Sequence, residues 1–298
     1  MSTSINTAFI TAYEAKVHLV FQRQGTVILQ AVRWKRDVVG STAVFQVIAA
    51  GTATTKARHG TITPMNQTHS TATATLADFY AGDWVDALDE AKINIDERDA
   101  LAKSGAMALG RKIDDQLFVV MNASSDSTVT WSVSTEKQVR SALLSMVQSL
   151  YSNDVPNDGD IFGALTPKAW AMAMTVEEFK NSDYVTAMGL PFTQGAPVAR
   201  YKEWMGVKWT MHTGLPSAGA ANAKQFVWHR SAIGYASGKH PKNFANRGAV
   251  VADITWHGDR AAHFINHMMS GGAVAIESAG IIEGDVDDTA DVPLVAST

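Results

Sequence analysis

The strongest constraint on the fold is a stretch of small residues between positions 51 and 76, composed mostly of Thr, Ala, Gly and Ser. Its last part, STATATLA at residues 70–77, alternates threonine with alanine, and this period of two is typical of an extended strand. Residues 42–50 are rich in β-branched and aromatic side chains and predict a second strand. Together they predict a long two-stranded hairpin, or an extended loop, over about residues 40–77.

This hairpin carries few large apolar side chains with which to pack on its own domain. An isolated two-stranded ribbon is marginally stable at best in water, so the predicted hairpin needs a supporting surface. Two interpretations remain open at this point. The hairpin is either a mobile loop or a ribbon whose partner surface belongs to another subunit.

Charge is unevenly distributed along the chain. Up to Thr75 there are seven basic and two acidic residues, a net charge of +5, so the remaining residues carry −9 to reach the total of −4. A basic first segment on an acidic body favours association between copies, because complementary potentials attract. A mildly basic, solvated strand pair is the alternative. Charged residues make up only 18% of the chain, against about 25% in ordinary soluble domains, which indicates that much of the surface meets protein.

The basic side chains of this first segment are candidates for contacts between subunits. Nucleic-acid binding is a weaker interpretation, because the chain lacks a dense stripe of lysine and arginine with interleaved aromatic residues. The candidates are Arg33, Lys35, Arg36, Lys56, Arg58 and His59.

A single long helix is predicted over about residues 96–122, because acidic residues open it and apolar residues recur at three- and four-residue steps. Gly105 and Gly110 would each cost this helix up to about 1 kcal/mol. Their presence is better explained by the close approach of a second backbone, such as a sheet that crosses the helix.

The rest of the chain alternates helical and strand patterns and then becomes mostly β. Thr135 and Gln138 form a capping box at the start of a helix over residues 135–150. Thr166 and Pro167 begin another helix directly after a short strand. The fold class is therefore α+β. Strands are predicted over residues 26–34, 161–165, 207–212, 225–230, 249–256, 262–268 and 273–276.

The search for chemistry finds one cluster, formed by His257, Asp259, His263 and His267. On a helix His263 and His267 would lie on one face, with Asp259 one turn before His263, and these three ligands could hold zinc. The cluster therefore gives the alternative of a soluble metal-dependent hydrolase. The region has a strand pattern, however, and a strand would separate His263 from His267 by ~13 Å. Neither an enzymatic activity nor a cofactor is therefore expected.

Other classes of protein are excluded by what the sequence lacks. The chain has no cysteine, so disulfides, thiolate nucleophiles and iron–sulfur clusters are ruled out. Its longest apolar run, residues 117–121, is far shorter than the ~20 residues of a membrane-spanning helix. The first residues lack the pattern of a signal peptide. The sequence therefore predicts a soluble protein, made in a cytoplasm, with no membrane partner.

Several segments, taken in order over about residues 95–282, resemble the major capsid protein family of tailed bacteriophages, which has the Hong Kong 97 type fold. One of them, GRKIDDQLF, lies on the predicted long helix. The segments are GRKIDDQLF at 110–118, LTPKAWAMAM at 165–174, GVKWTMHTGLP at 206–216, WHRSAIGYA at 228–236 and WHGDRAAHFINHMMSGGAVAI at 256–276.

The resemblance implies a definite architecture. The predicted ribbon would be the extended hairpin called the E-loop, lying over a neighbouring subunit's peripheral domain, and the long helix would be the spine helix of that domain. The implied parts are an N-terminal arm (1–38), the E-loop (39–78), a peripheral domain (79–129) with a long sheet, a mixed α/β axial domain (130–246), a return to the peripheral sheet (247–282) and an acidic C-terminal tail (283–298).

The resemblance also implies a function. Copies would form hexamers and pentamers that close into an icosahedral shell around double-stranded DNA, with weak non-specific DNA contact, and the shell would be assembled in the host cytoplasm. No helical scaffolding extension is visible, which implies a separate scaffolding protein or none; portal and decoration proteins are further candidate partners. Nothing supports transfer of the family's lysine–asparagine crosslink to Lys56.

Three residues of the predicted long helix complete the set of candidate subunit contacts. Asp114 and Asp115 are adjacent on the helix, about 100° apart, so they cannot form a facing carboxylate pair. A salt bridge between Arg111 and Asp115 on a solvated face is the alternative. The three candidates are Arg111, Asp114 and Asp115.

Overall fold

The computed structural model describes residues 23, 26–88, 97–132, 134–176, 179, 202–239 and 251–289. Within these residues the chain forms a five-stranded, a six-stranded and a two-stranded sheet, together with three α-helices. The helices are α1 (Glu97–Ser124), α2 (Glu136–Ser152) and α3 (Pro167–Ala173). The strands are β1 (Arg33–Val38), β2 (Thr42–Ile48), β3 (His69–Thr75), β4 (Ala77–Asp86), β5 (Ser127–Ser132), β6 (Ile161–Leu165), β7 (Lys202–Trp204), β8 (Val207–Met211), β9 (Ala223–His229), β10 (Ile233–Gly238), β11 (Val251–His257), β12 (Ala262–Ala275) and β13 (Ile281–Asp287).

The five-stranded sheet is built around the long strand β12, in the order β1-β10-β12-β11, with β4 on the other side of β12. Gly271 pairs with both Ala77 of β4 and Ser237 of β10, which places β4 and β10 on opposite sides of β12. Helix α1 covers one face, where Leu109 and Met269 belong to the same apolar cluster. The opposite face is covered by the β2–β3 hairpin at β10 and the C-terminal end of β12 and is exposed at Tyr80 and Trp84.

The predicted close approach to α1 is found at Gly105, although the approaching group is a side chain and not a backbone. A side chain on Gly105 would collide with the imidazole ring of His267, which projects from β12. At Gly110 the carbonyl oxygen accepts a hydrogen bond from the Thr26 N–H at 3.2 Å, a contact that does not itself require glycine. Gly105 therefore permits the helix to lie close to the sheet.

The six-stranded sheet has the order β5-β13-β9-β6-β8-β7 and is covered on both faces. Helices α2 and α3 cover one face, with Leu143 and Trp209 in a shared core. The C-terminal half of α1 and residues 28–32 cover the other, with Phe118 and Trp228 in a second core. All five residues of β6 are buried, which explains its continuous apolar sequence.

Local capping signals predicted the helices well. The Thr135 side chain caps α2 by accepting the Gln138 N–H, although the Gln138 side chain accepts from Ser134 Oγ at 2.7 Å and not from the cap backbone. The Thr166 side chain caps α3, and Pro167 occupies its first turn, as predicted. The long helix is also confirmed, within the described residues, as α1.

Two strand predictions need correction. Residues 29–31 form a 3₁₀ turn and the strand begins only at Arg33, because residues 28–32 are an apolar segment packed between α1 and the six-stranded sheet. The strands predicted over 262–268 and 273–276 form one strand, β12. Gly271 and Gly272 continue this strand, and a side chain on either would collide with Tyr235 or with the Thr75 backbone.

Three implied boundaries differ from the structure. Strand β10, expected in the axial domain, lies in the five-stranded sheet, because the chain crosses between sheets at the short turn after β9. Strand β1, expected in the N-terminal arm, joins the same sheet. Residues 281–287 form β13 of the six-stranded sheet, so the first part of the expected acidic tail is ordered.

The acidic residues after position 282 have partners that explain this order. Lys224 Nζ donates to Glu283 at 2.7 Å and to Asp285 at 3.1 Å. The pKa of Lys224 is raised, mainly by its hydrogen bond to Glu283. Asp288 is buried and accepts hydrogen bonds from Thr166 Oγ1 and the Gly219 N–H. The arm at 1–22, the axial residues 180–201 and 240–246, and the tail at 290–298 lie outside the described residues.

Candidate assembly surface

The base of the predicted hairpin packs on its own subunit. Strands β2 and β3 pair in antiparallel register from Thr42–Thr75 to Ile48–His69. Phe45 is only 3% exposed and lies directly on the backbone of Gly234 in β10, where a Cβ would collide with its ring. The expectation that the hairpin lacks apolar groups for its own domain is therefore wrong for its base.

The tip of the hairpin, residues 49–68, has the opposite character. Every residue in it is exposed, including Ile62 at 76% and Met65 at 57%. Its described hydrogen bonds are local, such as Ala49 N–H to the Thr68 carbonyl oxygen at 3.0 Å. The tip therefore extends away from both cores of its own subunit.

The predicted basic residues form two groups on this hairpin region. Lys56, Arg58 and His59 lie at the tip, and no acidic residue occurs between positions 38 and 77. The Lys56 ammonium group donates to the Gly60 carbonyl oxygen at 3.4 Å, which holds it along the loop. The tip group is exposed and uniformly basic.

The second basic group lies on β1, where Arg33, Lys35 and Arg36 are all exposed. The Arg36 guanidinium lies 3.8 Å from the centre of the Trp34 ring, and the Arg33 guanidinium lies 5.8 Å from that of Phe45. Lys35 donates to the Val44 carbonyl oxygen at 3.4 Å. These contacts hold the three cations along the outer strand of the sheet.

Asp114 is the clearest correction among the candidate contacts, because it is completely buried. It accepts the Val27 N–H at 3.2 Å and the Ile28 N–H at 3.5 Å. Its Oδ2 also lies 3.2 Å from Nε2 of the buried His212. The Gly214 N–H donates to His212 Nδ1, so the neutral ring carries its hydrogen on Nε2, facing the carboxylate. Asp114 therefore anchors the N-terminal segment of its own chain and has no surface to offer another subunit.

The charge of Asp114 also acts on a neighbouring residue. Burial, and secondarily the carboxylate of Asp114, raises the pKa of Tyr235 far above its ordinary value. Tyr235 lies in β10, so the carboxylate of Asp114 influences a side chain of the five-stranded sheet.

Arg111 and Asp115, for which a mutual salt bridge was the alternative, both contact Arg23. Asp115 accepts from Arg23 Nη2 at 2.8 Å and is about half exposed. Arg111 Nη1 donates to the Arg23 carbonyl oxygen at 3.2 Å. The described contacts of these two candidates thus hold the N-terminal segment on α1 within one chain.

The histidine cluster is spread over both faces of the β11–β12 hairpin. His257 Nδ1 lies 3.9 Å from Asp259 Oδ1, His263 packs against Trp256, and His267 is buried beside the Ala81 carbonyl oxygen. Cross-strand pairing puts His263 and His267 on the α1 side and His257 on the opposite face. Among the residues that the structure describes, no three potential metal ligands converge.

The face of the five-stranded sheet opposite α1 carries an aromatic cluster that sequence reasoning missed. Trp84 and Phe264 lie 4.5 Å apart, Trp84 and His257 lie 5.0 Å apart, and the Arg260 guanidinium lies 4.5 Å from the Trp84 ring. Tyr80 on the same face is 68% exposed. We call Tyr80, Trp84, His257 and Phe264 the aromatic face. The period-two pattern of residues 77–86 is the signal from which this strand is recognisable.

Comparison with known proteins identifies the family. A family model described as phage capsid protein matches residues 5–288. The chain belongs to the phage capsid protein family. No curated protein sequence matches it significantly.

Solved structures confirm the fold. The capsid structure of cyanophage P-SCSP1u matches with a TM-score of 0.73 at 15% identity, covering 97% of this chain and 96% of that chain. The capsid of Ralstonia phage GP4 matches with a TM-score of 0.66 at 10% identity, and the match covers 95% of this chain and 96% of that chain. The capsid of a native GTA particle matches with a TM-score of 0.66 at 12% identity, and the match covers 96% of this chain and 97% of that chain. These likenesses confirm the predicted α+β capsid fold of the Hong Kong 97 type.

The family membership gives this capsid protein a structural role in the virion, as predicted. The hydrolase alternative has no support, since its histidines do not converge. None of the helices in the described residues is long and apolar enough to span a bilayer.

Proposed function

We propose that this major capsid protein forms the hexamers and pentamers of an icosahedral shell around double-stranded DNA, with the hairpin tip making a principal contact between copies. The observation that carries this proposal is the contrast within one hairpin. Its base is buried at Phe45, whereas its tip exposes Ile62 and Met65. Apolar groups held away from their own core favour burial against another surface.

The aromatic face of a neighbouring copy has the chemistry to receive this tip. Exposed Tyr80 and Trp84 offer rings for apolar contact and for cation–π contact with Lys56 and Arg58. The Arg260 guanidinium already lies over Trp84 within the same chain, so the more exposed Tyr80 ring is the one open to a cation of the tip. Asp78 and Asp86 lie on the same face of β4 and add negative charge opposite the basic tip.

In this proposal the hairpin at 39–78 is the E-loop, preceded by an N-terminal arm at 1–38. The five-stranded sheet with α1 is the peripheral domain, and the six-stranded sheet with α2 and α3 is the axial domain. The subunit acts by assembly and not by catalysis. Many modest interfaces combine multivalently in a closed shell, so none of them needs to be strong alone.

The proposal includes only weak contact with the packaged DNA. The chain carries a net charge of −4, so an inner surface with little excess positive charge would not bind phosphates tightly. Assembly in the host cytoplasm, with a separate scaffolding protein or none, and contacts with portal and decoration proteins complete the proposal.

The decisive experiment compares the full chain with a variant in which residues 51–66 are replaced by a short Gly-Ser turn. We expect the full chain to form closed particles or rings by negative-stain microscopy and light scattering. The variant should remain a folded monomer, with circular dichroism and a thermal midpoint close to those of the full chain. A full chain that stays monomeric both alone and when co-expressed with a scaffolding protein would exclude the shell function, and a shortened chain that still assembles would exclude the role of the tip.

A further inference from the structure

We propose that neighbouring copies also join edge to edge, with the outer edge of β1 in one copy pairing with the outer edge of β4 in the next. The inference rests on the proposed self-assembly but concerns a second contact, separate from the hairpin tip. The five-stranded sheets of adjacent subunits would then form one sheet that continues across the boundary.

The sheet topology leaves both edges open within the described residues. Strand β1 pairs with β10 on one side, and β4 pairs with β12 on one side over its whole length from Ala77 to Asp86. The outer side of β1 is regular from Arg33 to Lys35, and a bulge follows before Val38. The outer side of β4 presents backbone N–H and C=O groups in alternation, except that the Trp84 N–H already donates to the Asp83 carboxylate at 2.8 Å. Such an edge is a template for another strand.

The two edges carry opposite charge. Strand β1 has Arg33, Lys35, Arg36 and Asp37, a net charge of +3 − 1 = +2. Strand β4 has three aspartates and no basic residue, a net charge of −3. All seven of these side chains are exposed. The aspartates of β4 are Asp78, Asp83 and Asp86.

These charges favour pairing of β1 with β4 over pairing of two β1 edges or of two β4 edges. Two β1 edges repel each other, as do two β4 edges, because like charges on adjacent strands are destabilising. Pairing of β1 with β4 brings opposite charges together, so the same residues favour one pairing and oppose the others. Strand β11 also borders the sheet, but it carries one aspartate and no lysine or arginine.

The selected contact is heterologous, because it joins two different edges of identical subunits. Each copy then offers one β1 edge and one β4 edge, and a chain of such contacts leaves two unpaired edges unless it closes into a ring. The contact therefore gives ring formation a direction, as does the contact proposed between the hairpin tip and the aromatic face of a neighbour.

Disulfide trapping tests this contact well, because the chain contains no cysteine. Lys35→Cys is combined with Asp78→Cys or Asp86→Cys, which lie on the same face of the sheet as Lys35, and Arg36→Cys is combined with Asp83→Cys on the α1 side. Within one copy β10 and β12 separate β1 from β4, which puts the cysteines at least ~14 Å apart. A disulfide requires Cα atoms within ~7 Å, so any bond must join two copies.

We expect one of the three pairs, oxidised in assembled particles, to give a ladder of covalent oligomers up to the pentamer or hexamer on a denaturing gel. The matched control combines Lys35→Cys with Ser141→Cys, an exposed position on α2, and should stay monomeric. Particles in which no β1–β4 pair exceeds this control would overturn the edge contact while leaving the shell function intact. A wild-type chain that forms no particles, alone or co-expressed with a scaffolding protein, would instead remove both proposals.

A charge exchange gives an independent test should the cysteine variants fail to assemble. Arg33→Glu, Lys35→Glu and Arg36→Glu together should abolish particles while the subunit stays folded. Adding Asp78→Lys, Asp83→Lys and Asp86→Lys to the same chain should restore them. Failure of this restoration would also overturn the contact.

Discussion

The two large sheets of this capsid protein are completed in different ways. The six-stranded sheet is covered on both faces by its own chain, and its central strand β6 is entirely buried. The five-stranded sheet is covered by α1 on one face, whereas the other exposes Tyr80 and Trp84. The first sheet therefore stabilises the isolated subunit, while the second keeps surface for assembly.

The largest effect on subunit stability is expected at a buried tryptophan of the six-stranded sheet. Trp209 is fully buried, lies against Gly163 and donates its ring N–H to the Trp204 carbonyl oxygen at 3.2 Å. Trp209→Ala should lower the free energy of unfolding by about 3–5 kcal/mol. Urea unfolding of the isolated subunit measures this loss.

Trp84 provides the matched control from the other sheet, because it is the same residue type on an open face. Trp84→Ala removes contacts with Phe264 and Arg260 and should cost the isolated subunit about 1–2 kcal/mol, clearly less than Trp209→Ala, yet it should impair assembly. Equal losses of stability in the two variants would contradict the distinction between the sheets.

The next largest loss of stability is expected at the hairpin base, and it should be confined to the hairpin. Phe45→Ala removes the buried ring from the Gly234 backbone and should weaken docking by about 2–3 kcal/mol. Amide hydrogen exchange in β2 and β3 should become roughly 30- to 150-fold faster, while the six-stranded sheet is unchanged. Val44→Ala, at a 43% exposed neighbouring position, should leave exchange unaltered. Uniform acceleration over the whole chain would show instead that the hairpin unfolds only with the cores.

A third prediction concerns the buried contact between α1 and the N-terminal segment at Asp114. The adjacent residue Asp115 serves as the control. Asp114→Ala leaves the N–H groups of Val27 and Ile28 and the ring of His212 without their common acceptor, a loss of about 2–3 kcal/mol. Asp115→Ala breaks a half-exposed ion pair and should cost under about 1 kcal/mol. Denaturant unfolding, with hydrogen exchange at residues 27–32, separates the two. Equal losses would mean that the buried carboxylate does not anchor this segment.

Features that depend on residues close together in the sequence were predictable, whereas features that depend on contacts between distant residues were not. Helix α2 was predictable because its cap at Thr135 and its apolar spacing are local. Asp114 was misassigned to the surface because the segment that buries it, around Ile28, is 86 positions away in sequence. The aromatic face was missed for the same reason, since Trp84 and Phe264 become neighbours only through the pairing of β4 with β12.

The smallest effect on subunit stability is expected at the hairpin tip, where the effect on assembly is largest. Lys56→Glu with Arg58→Glu changes only exposed side chains and should alter the free energy of unfolding by no more than about 0.5 kcal/mol. Particle formation should nevertheless be lost, because the reversed charges would face the aspartates around the aromatic face of the neighbour. The control, Lys56→Arg with Arg58→Lys, keeps the charge and should assemble normally. Normal particles from the reversed variant would show that the tip binds through Ile62 and Met65 alone, without an electrostatic contribution.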